Sequence, residues 1–151
     1  MKLHQFLAVT ALFAGFATSA LAQSVDIKNA WIRASVQGQS STGAFMTLTS
    51  REDTRLVGVV SPVAGVAEVH EMKMDNGIMK MRAVEGGLAL PAGKAVELKP
   101  GGYHVMLMDL KAALPKDSTA PVTLIFKDGK GVESRVELKL PVAISAMAHK
   151  H

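Results

Sequence analysis

The segment Val69-His70-Glu71-Met72-Lys73-Met74-Asp75-Asn76-Gly77-Ile78-Met79-Lys80-Met81-Arg82 reads as two strands folded back on a tight turn. Asn-Gly is the preferred pair for a two-residue hairpin loop, because both residues tolerate positive φ. With Asn76 and Gly77 as the loop, Met74 faces Met79, Met72 faces Met81, Glu71 faces Arg82 and His70 faces Ala83. Side chains alternate along a strand, so His70, Met72, Met74, Met79 and Met81 share one face. The other face carries Glu71 and Arg82 as a candidate ion pair, together with Lys73 and Lys80, and is expected to be wet. A three-residue loop would send Met79 and Met81 to the face away from His70. The register of one turn therefore decides whether these donors gather.

Outward from the hairpin, short alternating apolar segments recur about every ten residues, punctuated by Gly, Pro, Asn and Asp. Strands are predicted over 25–34, 43–49, 55–61, 67–74, 78–84, 95–99, 103–110, 122–126 and 133–140. Helix signals are poor, apart from one possible turn over 110–114 before Pro115. This spacing predicts an all-β sandwich or barrel. Residues 143–151 show no periodicity and read as a mobile tail that contains Met147, His149 and His151.

The first 22 residues read as an export signal. Lys2 supplies the positive start, residues 6–16 a short apolar run, and Ala20-Leu21-Ala22 a small-x-small cleavage site before Gln23. The apolar run is too short to span a membrane. The expectation is cleavage after Ala22, one mature domain over 23–142 and a periplasmic protein that is monomeric and not membrane-inserted. The chain contains no cysteine. A lipid-anchored form is thus not expected, and the fold must rely on packing alone. The net charge of +4 falls by one when Lys2 leaves, and the basic residues are scattered. With one Trp and one Tyr, the chain has no basic stripe interleaved with aromatics, which argues against nucleic-acid binding.

His104-Val105-Met106 is the second informative motif: on a strand, its imidazole and thioether point the same way. Met108 shares that parity, while Val105 and Leu107 suit a core face. His70 and His104 are the only histidines between the signal and the tail, and both open Met-rich strands. Two imidazoles and two thioethers suit Cu(I), a soft ion without strong geometric demands. Zinc prefers Cys, His or carboxylate ligands. The candidate ligands are therefore His70, Met81, His104 and Met106. Met72 either caps the site or simply packs. Met74 and Met79, nearer the turn, read as a soft outer layer or an exposed docking surface. Met46 and Met108 read as core, and Trp31 and Tyr103 as core or rim aromatics. In the tail, Met147, His149 and His151 form a second candidate constellation for loose Cu(II) or Cu(I) capture, against the plainer reading of a solvated end. Such a donor set leaves no obvious position for a nucleophilic water, so binding and transfer are expected, not enzymatic turnover.

At this point the chain resembles the periplasmic copper chaperones of the PCuA(C) family. The pattern His70, Met81, His104-x-Met106 carries the resemblance. So does its context, Val69 through Gly77 and Leu98-Lys99-Pro100-Gly101-Gly102-Tyr103-His104-Val105-Met106-Leu107. The likeness covers about residues 26–141. It implies a cupredoxin-like Greek-key β-barrel or sandwich with one Cu(I) at a solvent-near site. It also implies copper supply to cytochrome c oxidase, chiefly the CuA centre of subunit II, alongside a Sco-type protein. Some members carry a C-terminal Met/His extension that binds Cu(II), and the tail here looks like a short version of it. The alternative is a copper-resistance or storage protein that buffers periplasmic copper without a dedicated acceptor. A blue-copper electron carrier needs a Cys ligand that this chain lacks. A histidine-brace oxygenase needs an N-terminal His where Gln23 stands. A metal-free structural β-sandwich would show no Cu(I) affinity.

Overall fold

Alternation of buried and open positions is the dominant local pattern in the computed structural model, which describes residues 24–145. Ten strands follow in chain order: β1 (Val25–Arg33), β2 (Ser41–Ser50), β3 (Thr54–Val60), β4 (Ala64–Asp75), β5 (Ile78–Ala83), β6 (Leu88–Leu90), β7 (Ala95–Leu98), β8 (His104–Leu110), β9 (Thr119–Asp128) and β10 (Glu133–Ala143). In β9, Ala120, Val122, Leu124 and Phe126 are buried and the residues between them are not. That period of two is what a half-buried strand requires. The expected signal peptide and the tail residues Met147, His149 and His151 lie outside the described residues.

The strands hydrogen-bond in the order β5-β4-β8-β2-β1-β10-β9-β3-β6, with β7 attached to β2. All pairings are antiparallel except β1 with β10. β10 links two layers: Glu133 through Pro141 pair with β9, whereas Val142 and Ala143 pair with Ile32 and Arg33 of β1. The path stays open, from β5 at one end to β6 at the other. The fold is therefore the expected all-β sandwich. One core fills it, with Ile32, Leu48, Val105 and Leu107 from one layer and Leu56, Leu124, Phe126 and Leu140 from the other.

Two bulges shift the alternation. Between Lys28 and Trp31 the β1–β2 register slips, and Asn29 takes a positive φ of 54°. Before this bulge Val25 and Ile27 face the core; after it Ile32 does, and Trp31 turns to the outer face opposite Phe45. A similar slip between Leu56 and Gly58 lets both Leu56 and Val59 reach the core. An inserted residue reverses which parity points inward.

Three details differ from the sequence expectation. β6 is a short strand that the sequence pattern did not announce. Residues 110–114 form no helical turn, because the N–H of Leu114 donates to Ser35 Oγ and its carbonyl accepts from the Ser35 N–H, both at 2.9 Å. Those bonds replace the ones a helical turn would make. Ala143, placed in the tail by its sequence, instead ends β10 and is buried beside Trp31 and Phe45.

Candidate metal centre

The hairpin has the register its turn dictates. Asn76 and Gly77 both adopt positive φ, 50° and 79°, as a type I′ loop requires. His70 pairs with Ala83, Glu71 with Arg82, Met72 with Met81 and Met74 with Met79. On the wet face Arg82 Nε donates to Glu71 Oε1 at 2.9 Å, and Lys80 approaches Asp75 at 3.4 Å.

The adjacency of β4 and β8 completes the site. His70 lies directly opposite His104, and Met106 sits between Glu68 of β4 and Gly43 of β2. The imidazole centroids are 5.9 Å apart. By strand parity Glu68, His70, Met72, Met81, His104 and Met106 all belong to the outer face, while Val69, Val105 and Leu107 point into the core. Met72, Met81, His104 and Met106 line a shallow depression of about 300 Å³, with Arg33 and Phe45 beside them. His104 is 6% exposed and Met81 47% exposed, so the depression has a closed floor and an open thioether rim.

An aromatic wall flanks His104. Phe45 lies 6.5 Å from its ring, Trp31 packs on Phe45 at 4.9 Å, and the Arg33 guanidinium sits 5.2 Å over the Phe45 ring. Gly43 makes room for this wall: a Cβ there would stand 2.9 Å from Phe45 Cζ.

The imidazole nitrogens can be accounted for one by one. His104 Nδ1 donates to the Gly102 carbonyl at 3.1 Å, which leaves Nε2 to carry the lone pair of the neutral ring. The same carbonyl accepts from the Met72 N–H at 3.3 Å, tying β4 to the turn before β8. Burial pushes the His104 pKa below its ordinary value; nearby His70 and Arg33 push the same way, against the backbone hydrogen bond to Gly102. His70 Nε2 contacts Glu68 Oε2 at 2.9 Å, and its Nδ1 is buried with no hydrogen-bond partner. Buried nitrogens without a partner in the chain are rare in folded proteins, and a water or an ion is the usual partner for one. Among the described residues no three His, Cys, Asp or Glu side chains gather as a group that could hold a metal ion. Apart from the Glu68 carboxylate, the donors that share the face are imidazoles and thioethers, the set a soft cation favours.

The remaining methionines sort differently. Met46 is core, as expected. Met108 is not: it shares the outer face with Met106 and is only partly buried, because parity along β8 outweighs its hydrophobicity. Met74 and Met79 are exposed at the hairpin tip, and Tyr103 is exposed too. Glu68, Arg33, Phe45 and Gly43 were not singled out by sequence reasoning. Glu68 had a readable signal, since it stands two positions before His70 and shares its face.

A family model described as "Putative lipoprotein LpqE-like" matches residues 25–142. The chain belongs to this LpqE-like family. A protein described as "Putative lipoprotein Lxx21020", from Leifsonia xyli subsp. xyli, is 34% identical over 118 residues, covering 78% of this chain and 71% of its own length. The copper-bound PCuAC domain from PmoF2 superposes with a TM-score of 0.62 at 26% identity, covering 81% of this chain and 94% of that domain. The solution structure of a Cu(I)-bound protein from Deinococcus radiodurans, DR1885, gives a TM-score of 0.61 at 28% identity, covering 86% of this chain and 85% of that one. The LpqE-like chain thus shares the cupredoxin-like fold of the PCuAC domains, and the resemblance read from its motifs holds.

Proposed function

We propose that this LpqE-like protein is an exported copper chaperone that binds one Cu(I) through His70, Met81, His104 and Met106. Met72, opposite Met81, is a reserve thioether on the same rim. The observation that carries this reading is the convergence of β5, β4 and β8, with His70 facing His104 and each ring keeping one nitrogen out of hydrogen bonding. The copper-bound PCuAC relatives support the metal, and the lipoprotein description of the family supports export.

Release follows from the same donors. Thioethers are neutral, so each can be displaced without separating opposite charges, and half-exposed Met81 is the one an incoming ligand reaches first. Copper then moves by ligand exchange to an acceptor with stronger, thiolate-containing ligands. The acceptor we propose is the CuA centre of cytochrome c oxidase subunit II, directly or with a Sco-type protein. The tail donors Met147, His149 and His151 are proposed to capture copper, including Cu(II), near the main site.

X-ray absorption on the Cu(I)-loaded protein tests the ligand set, with both sulfur and nitrogen scatterers expected; a spectrum without sulfur overturns it. Transfer is tested by mixing the loaded protein anaerobically with the apo soluble domain of subunit II. Copper is expected to leave the chaperone. Retention against that acceptor overturns direct delivery and favours buffering.

A further inference from the structure

Glu68 projects from β4 on the ligand face, two residues before His70 and directly opposite Met106. Its Oε2 lies 2.9 Å from His70 Nε2. A carboxylate oxygen only accepts, so the imidazole nitrogen facing it carries the proton. The neutral ring then has its lone pair on Nδ1, which is the buried nitrogen without a partner. The two histidines are held in opposite senses: His104 is anchored through Nδ1 by a carbonyl, His70 through Nε2 by a carboxylate.

We infer that Glu68 is a positioning residue for metal loading: it fixes His70 in the Nε2–H tautomer and so assigns Nδ1 to the metal. The inference rests on the copper reading for its purpose, but the tautomer is a property of the metal-free protein. Carboxylates that hold a ligating imidazole orient the ring and raise its basicity, and losing one typically costs about 10–100-fold in metal affinity. Glu68 is itself partly exposed, with a side chain open to 46% while that of His70 is open to 13%. Replacing it therefore removes a hydrogen bond at the rim without opening the core.

Long-range nitrogen–proton NMR on the apo protein, above the imidazole titration range, reads the tautomer directly. Wild type is expected to show His70 protonated at Nε2. Glu68→Ala is expected to relax that preference to the weaker Nε2–H bias of a free neutral imidazole and to bind Cu(I) about tenfold or more weakly in an anaerobic chelator competition. In Glu68→Gln the amide oxygen still accepts, so the tautomer and part of the affinity should return. Cu(I) is diamagnetic, so the Nε2 proton should stay visible in the loaded protein. A His70 protonated at Nδ1 in the apo wild type overturns the inference. So does an unchanged tautomer balance in Glu68→Ala, or loss of the Nε2 proton on loading. If the chain bound no Cu(I), the proposed function would fall, while the apo spectra would still decide the role of Glu68.

Discussion

Gly43 has no side chain, and the Phe45 ring occupies the space that absence leaves. Gly43→Ala would bring a Cβ to 2.9 Å from Phe45 Cζ, and the ring cannot move freely because Trp31 packs on it. Overpacking of this kind costs about 1–3 kcal/mol, so a lower midpoint is expected in urea denaturation of the apo protein. An unchanged midpoint would show that the aromatic wall yields easily. His104, beside that wall, links acid to stability. Its pKa is lowered in the fold, chiefly by burial. As pH falls below the ordinary value of 6.5, the unfolded chain takes the proton first and the native state loses stability. The loss runs from that value down to the lowered native one and then levels off. Comparing apo unfolding midpoints between neutral and mildly acidic pH should therefore show a steeper decline in wild type than in His104→Asn. Parallel declines would argue against a desolvated His104. Under the proposed function copper would compete with the same proton, so a lowered pKa would let this imidazole keep a metal further into acid than an exposed one.

At the scale of elements, the β4–β5 hairpin was legible in full and its neighbour was not. Asn76-Gly77 fixes the loop length, the loop fixes the pairing, and the pairing places Met72 and Met81 on the His70 face. Nothing local to either segment says that β8 lies against β4. That contact joins residues far apart in sequence through backbone bonds that carry no residue signature, and the family resemblance supplied it. The bulge at Asn29 was hidden for a related reason: the apolar pattern of β1 continues through it while its parity reverses. Met108 was misassigned to the core because hydrophobicity was weighed above the parity that already grouped it with His104 and Met106. A direct test of the turn is to insert one Gly after Gly77. The longer loop moves Met79 and Met81 to the face away from His70, so Cu(I) affinity should drop by roughly tenfold or more, about 1.4 kcal/mol. Retained affinity would mean that a local bulge absorbs the extra residue, or that Met81 is dispensable.

Across the whole molecule, the face with the proposed copper donors and the core are opposite sides of the same strands, so the proposed site is separate from what keeps the protein folded. Leu124 of β9 is fully buried in the layer that does not carry the site. Leu124→Ala should cost about 2–5 kcal/mol in stability, yet leave Cu(I) affinity unchanged under conditions where the protein is still folded. Met81→Ala should do the reverse. Its side chain is half-exposed on the edge strand β5, so apo stability should stay within about 0.5 kcal/mol while the chelator competition shows weaker binding. Val105 is the position where the two properties meet, because it is fully buried and stands between His104 and Met106 on β8. A cavity beneath it loosens the strand that aims both ligands, so Val105→Ala should lower stability and affinity together. The three variants, each measured by urea denaturation and by Cu(I) competition, form a pattern that a site elsewhere on the molecule would not reproduce. If Met81→Ala and Leu124→Ala both left affinity intact and only Val105→Ala changed it, the metal would lie closer to β8 than to the hairpin, and β5 would cease to be part of the binding face.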